Sequence, residues 1–196
     1  GPGFDALAHA IESFLSVRAN PFSKLYSRQA ILWLSEGLPK VQASPSDLGT
    51  WERVALGSTF AGIAIGNAGC TAPHGIEHPI SGLLNVAHGE GLAAIYPEYM
   101  RFMRPHAQAD FAELARLLGA ETSGLTEEEA SLRAVEQVDA LLKTLGIAFT
   151  LSDLGVRESQ IDWLSRTALD SMPAVFANNP TAMTSDDVKI ILERRL

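Results

Sequence analysis

A single cysteine, Cys70, stands among 196 residues. No internal disulfide can form, so a packed core must hold the fold, and a reducing, cytoplasmic compartment fits this usage. Positive charge is also scarce. Lys and Arg number 15 against 23 Asp and Glu, for a net charge of −8. That balance speaks against a nucleic-acid partner and against adhesion to an anionic membrane. Alternating strand patterns, strand–helix repeats and a glycine-rich phosphate loop are absent too. Gly57, Gly62, Gly66 and Gly69 lie in a helix-like run with no strand before it. Nothing in the chain is therefore expected to bind a nucleotide by itself. No secretory signal pattern opens the sequence.

Apart from His74, acidic and basic residues are missing altogether from Val54 to Ile76. A run of that length raises the question of a membrane span. Its Gly57, Ser58, Thr59, Gly62, Gly66, Asn67, Gly69 and Pro73 point instead to a buried helix packed closely by neighbours on all sides.

What remains is apolar and helical. Hydrophobic residues make up 46% of the chain, enough for one sizeable core. Residues 5–18 carry helical spacing. Asn20-Pro21 starts a second helix, with Phe22, Tyr26, Ala30 and Trp33 on one face and Gly37 as its stop. Asp47 or Thr50 caps a helix over about 51–70, which Pro73 discourages from continuing. Another fits about 88–103, kinked or interrupted near Pro97, and a shorter one covers 107–118 up to Gly119. Thr126 and Glu129 form a capping box. They open a helix that carries Leu132, Val135, Val138 and Leu142 and stops at Gly146. Residues 157–170 and 185–195 complete the set, the last with Thr184 and Asp187 at capping-box spacing. The fold class is all-α, a single helical-bundle domain over residues 1–196.

Three of the five histidines fall in "HGIEHPISGLLNVAHG", residues 74–89. His74 and His78 are four apart, as are Asp5 and His9 in "FDALAHAIE". Residues at that spacing share a helix face, so each pair is a potential chelate. Imidazole and carboxylate suit Fe(II), Zn(II) and similar cations. His88 can join His74 on one ion only if the chain reverses between them. A straight helix would hold the two about 21 Å apart, whereas donors on one ion lie within roughly 3–4 Å. Pro79, Gly82 and Asn85 are the expected sites of that reversal. His106, between Pro105 and Ala107, reads as a solvated loop residue, and Glu12 and Glu77 as caps, ion-pair partners or surface groups.

Three functions can be built on these residues. "HGIEH" matches H-x-x-E-H, the inverted zinc-protease motif. There His74 and His78 bind zinc and Glu77 activates water, with a further carboxylate drawn from Glu127, Glu128 or Glu129. A non-catalytic helical interaction domain would use its histidines only structurally. The third is a catalytic domain in which carboxylate and imidazole groups from these segments share one cation.

That third reading matches a known family. "GFDALAHAIESF", "HGIEHPISGLLNVAHGEGLAAIYPEYM" and the closing "NNPTAMTSDDVKIIL" together resemble the iron-dependent (group III) alcohol dehydrogenases over essentially the whole chain. The form "HGIEHPISG" is most similar to the butanol-dehydrogenase-type branch. The resemblance implies the family's C-terminal helical domain, akin to that of dehydroquinate synthase-like enzymes. It implies Asp5, His9, His74 and His88 as ligands of Fe2+, with Zn2+ an alternative. It assigns His78 to proton transfer and to contact with the nicotinamide. The implied reaction interconverts alcohols and aldehydes, with NAD(P) held mainly by an N-terminal domain absent from this sequence. The chain alone is then expected to be inactive, and an uncovered interdomain face favours homo-oligomers.

Overall fold

Four helix starts are fixed by side chains that cap them. Asn20 Oδ1 accepts from the Phe22 and Ser23 amides, Asp47 Oδ1 from Thr50, Thr126 Oγ1 from Glu129 and Thr184 Oγ1 from Asp187. Each satisfies amides that the first helical turn leaves without partners. In the computed structural model, which describes Gly1–Leu196, these caps help mark out ten α-helices and no strand. They are α1 (Pro2–Leu15), α2 (Pro21–Ala43), α3 (Leu48–Ala68), α4 (Ala72–Leu84) and α5 (His88–Met103), then α6 (Gln108–Leu117), α7 (Glu127–Thr144), α8 (Ile161–Ser171), α9 (Pro173–Ala177) and α10 (Ser185–Glu193). Short 3₁₀ turns cover Arg104–His106 and Glu158–Gln160.

The first helix is the axis of the molecule. Leu7, Ile11 and Phe14 are fully buried on α1, as is Glu12. Helices α2, α3 and α5 pack around it, while α6 pairs with α7, and α4 lies against α5 and α8. Each large apolar side chain taken out of water here contributes about 1.5–3 kcal/mol.

Several expected boundaries move, each for a packing reason. Gly37 does not stop α2, which runs on through Pro39 to Ala43. It is instead a point of close approach, since a Cβ there would lie 2.6 Å from Val54 Cγ2. Helix α5 passes through Pro97 without a break, and residues 91–97 are all buried. Nor do Pro79 and Gly82 break α4, whose first turn absorbs Pro73. The reversal sits at Asn85, the only non-glycine residue with positive φ (54°), and takes only residues 85–87. Helix α3 is not packed on all sides. Its buried positions, Val54, Gly57, Ala61, Ala64 and Ala68, form one stripe, while Leu48, Trp51 and Leu56 face outward. Leu132 on α7 is likewise exposed, whereas Val135, Val138 and Leu142 are buried.

The uncharged run breaks at a corner. No single helix is long and apolar enough to cross a membrane, and α3 and α4 meet at 107°. Gly69 makes the corner with φ of 73°, a value that favours glycine. A Cβ there would also meet Asn178 Nδ2 at 2.7 Å. That amide donates to the Cys70 carbonyl at 2.8 Å, and Asn178 O accepts from Val17 N at 2.9 Å. Asn179 Oδ1 accepts from Ala72 N at 3.1 Å and from the Tyr99 hydroxyl, also at 3.1 Å. The two asparagines thus tie α1, the corner and α5 together.

Candidate metal centre

Three elements converge at the N-terminal end of α1. Asp5 lies in its first turn and His9 one turn on; His74 projects from α4, and His88 is the first residue of α5. The α4–α5 reversal is what returns His88 to the level of His74. The first turn of α1 is seated against α5: Gly1 O accepts from Phe4 N and Asp5 N, and a Cβ at Gly89 would overlap the Gly1 backbone, lying 2.6 Å from its carbonyl carbon.

One carboxylate oxygen faces three imidazoles. Asp5 Oδ1 lies 3.4 Å from His74 Nε2, 3.5 Å from His88 Nε2 and 3.7 Å from His9 Nε2. These distances exceed an N–H···O hydrogen bond. They match the edges of a coordination tetrahedron, because bonds of about 2.1 Å to one ion space its ligand atoms about 3.4 Å apart. Asp5 Oδ1 and His74 Nε2 are also the only buried side-chain polar atoms without a hydrogen-bond partner. Such atoms are costly unless something binds them, and the donor set of one carboxylate and three imidazoles suits Fe(II) or Zn(II). Donor atoms of Asp5, His74 and His88 all lie within 4.8 Å of one another. His9 stands at the edge, drawn in through Asp5, with its ring stacked on His74 at 4.5 Å between centroids.

Two buried carboxylates stand behind these imidazoles. Glu12 Oε1 is 2.9 Å from His74 Nδ1, and Glu12 Oε2 accepts from the Thr71 amide at 2.8 Å. Glu77 Oε2 takes His88 Nδ1, while Glu77 Oε1 accepts from the Ser81 hydroxyl. Both Glu side chains are 0% exposed. A carboxylate on Nδ1 fixes the tautomer and turns Nε2 toward Asp5 Oδ1. Glu12 and Glu77 are therefore neither caps nor surface groups but ion-pair partners, one of the three readings the sequence left open, and which histidine each serves was not legible. The available signal was periodicity: Asp5, His9 and Glu12 fall at i, i+4 and i+7 on α1, and Glu77 precedes Ser81 by four on α4.

Charge follows from the same arrangement. Burial disfavours the Asp5 carboxylate, but the His74 contact and the charges of His9 and His88 outweigh it and keep its pKa low. Burial also opposes protonation of His74, yet Glu12 and Asp5 prevail and push its pKa up to about 10. Burial and then His74 hold His9 below its ordinary value. His78 is lowered by burial and then by His88. Cys70 is raised, first by burial, then by Glu12 and Asp5.

His78 lies outside the Asp5 group. It is exposed, its ring centroid lies 5.3 Å from that of His88 and 6.5 Å from that of His74, and its donor atom groups with those of Glu77 and His88, all within 4.8 Å of one another. The zinc-protease arrangement finds no support, since Glu77 is buried with both oxygens engaged rather than open to water. Helix α7, which carries Glu127, Glu128 and Glu129, does not pack against α4. His106 ends an exposed 3₁₀ turn away from the cluster.

Gly91 makes this layer possible. A Cβ there would overlap the Glu77 carboxylate and lie 2.8 Å from Glu77 Cγ. Gly91→Ala is expected to push Glu77 off His88, costing about 1–3 kcal/mol and lowering metal affinity. Thermal unfolding and metal titration of the variant check both effects; unchanged affinity would remove Glu77 from the account.

Known proteins share the sequence pattern and fold of this chain. Residues 2–196 match the model of the Fe-containing alcohol dehydrogenase family, C-terminal domain. The long-chain-alcohol dehydrogenase 1 of Geobacillus thermodenitrificans is 35% identical over 97% of this chain and 48% of its own length. The NAD-dependent methanol dehydrogenase of Bacillus methanolicus is 31% identical over 99% and 50%. A crystal structure of 1,3-propanediol oxidoreductase superimposes with a TM-score of 0.95 at 30% identity, over 99% of this chain and 50% of that one. The chain spans about half the length of the relatives it matches.

Proposed function

Given that the chain belongs to the Fe-containing alcohol dehydrogenase family, matching its C-terminal part, we propose that it is the metal-holding domain of an NAD(P)-dependent enzyme that interconverts alcohols and aldehydes. The observation that carries this reading is the Asp5 Oδ1 atom, without a hydrogen-bond partner and faced by three imidazole nitrogens at 3.4–3.7 Å. Asp5, His9, His74 and His88 would hold the ion, Fe2+ in the first instance and Zn2+ as the alternative. When bound, such an ion supplies Lewis acidity toward an alcohol or carbonyl oxygen. The chain's own residues do the rest. Asp5 contributes the negative charge that offsets the cation. Glu12 and Glu77 keep the His74 and His88 lone pairs directed inward. His78, exposed beside His88, would carry the hydroxyl proton between substrate and solvent and contact the nicotinamide.

Hydride transfer needs a nucleotide site, and this helical chain has neither a strand nor a phosphate loop to make one. The NAD(P) site is accordingly proposed to lie on a separate N-terminal domain. Leu48, Trp51 and Leu56 on the outer face of α3 are apolar surface open to further contacts, which supports association with additional copies. The 196-residue chain alone is expected to bind one divalent ion yet show no NADH- or NADPH-dependent turnover; clear turnover by the chain alone refutes the division of labour. Joined to a nucleotide-binding domain, a His78→Ala variant should keep its metal and lose about 10²–10⁴-fold in kcat. Loss of metal in that variant would instead make His78 a ligand.

A further inference from the structure

Cys70 is the chain's single thiol, half-buried at the corner between α3 and α4. The corner is held on both sides of it: Asn178 Nδ2 donates to the Cys70 carbonyl at 2.8 Å, and Thr71 N donates to Glu12 Oε2 at 2.8 Å. Its Sγ forms a group with His9 and His74 in which every donor lies within 4.8 Å of the others. His74 is 6% exposed, and its Nε2 has no hydrogen-bond partner. His9 and His74 thus have two different further donors within reach: the hard Asp5 carboxylate, with His88, and the soft Cys70 sulfur.

We propose that His9, Cys70 and His74 form a second, thiophilic cation site that excludes occupancy of the Asp5–His88 side because the two share His9 and His74. The ion taken there is of the soft, thiolate-seeking class, such as Cd2+. On binding, the Cys70 S–H bond breaks, a sulfur–metal bond forms and the proton passes to solvent, with no change of oxidation state. Only the mutual exclusion rests on the Asp5, His9, His74 and His88 reading; the sulfur site itself does not.

Two spectroscopic probes separate the sites. Co2+ bound at the Asp5 side should give visible d–d bands without thiolate charge transfer. Cd2+ should give an ultraviolet thiolate-to-cadmium band that saturates at one ion per chain and bleaches the Co2+ bands as it grows. Cys70→Ser should remove the Cd2+ band and leave Co2+ affinity within about twofold, while His88→Ala should weaken Co2+ by more than about 100-fold, beyond the losses seen for outer partners, and keep the Cd2+ band. His9→Ala should impair both, with far-ultraviolet circular dichroism checking that each variant folds. The proposal is overturned if wild-type protein gives no thiolate band with Cd2+, if the band survives Cys70→Ser, or if Cd2+ and Co2+ bind together. Absence of Co2+ bands, with the Cd2+ band present, would instead sink the wider metal-domain reading and spare this one.

Discussion

His88→Ala is expected to lower Fe2+ or Co2+ affinity by more than about 100-fold, the upper end of the loss seen when only an outer partner is removed. That factor corresponds to about 2.7 kcal/mol. Three changes act together. One donor, 3.5 Å from Asp5 Oδ1, disappears. The Glu77 oxygen that held His88 Nδ1 is left buried without that partner. Asp5 also loses one of the neighbouring imidazoles that hold its pKa down. Isothermal titration with Co2+ measures the effect, and an affinity within threefold of wild type would remove His88 from the site. His78→Ala in the same assay should bind as wild type, because His78 lies outside the Asp5 cluster.

The largest expected loss of fold stability comes from Glu12→Ala. Glu12 is fully buried and serves three groups: His74 Nδ1, the Thr71 amide and, at 3.3 Å, the Thr71 hydroxyl. The network continues from Thr71 Oγ1 to the Tyr99 hydroxyl at 3.0 Å and from there to Asn179. Truncation leaves a buried amide and a buried imidazole unpaired beside a cavity. About 3 kcal/mol is the expected cost, at the low end for breaking a buried charged pair. For a chain of this size that lowers Tm by roughly 6–12 °C. Glu12→Gln keeps an acceptor for Thr71 and should retain most of the stability, yet still lose about 10–100-fold in metal affinity. Differential scanning calorimetry paired with metal titration separates the two variants. Equal Tm values for Ala and Gln would show that the hydrogen bonds at Thr71 and His74 matter little.

The difference between those variants marks where sequence reasoning runs out. Capping boxes at Thr126–Glu129 and Thr184–Asp187 and the Asn20 cap are local, so the helix starts they set were readable. Chelating spacing is local as well. It paired Asp5 with His9, and a distance argument then required a reversal before His88. Boundaries governed by neighbours were not readable. Gly37 looks like a stop but is where Val54 approaches, and Pro97 looks like a break but lies inside buried α5. Short α9 has too few residues for a periodic signal. The partners of His74 and His88 depend on how α1, α4 and α5 come together, so which imidazole Glu12 and Glu77 each serve became visible only in three dimensions. Asn178 and Asn179 gave no local hint of holding the α3–α4 corner.

The most direct test of the convergence is X-ray absorption spectroscopy of the Co2+- or Fe2+-loaded chain, paired with its metal stoichiometry. One ion per chain is predicted, with a first coordination shell of nitrogen and oxygen only, three imidazoles in the outer scattering, and loss of one imidazole in His88→Ala. No stoichiometric ion, or an unchanged imidazole count in that variant, would contradict it.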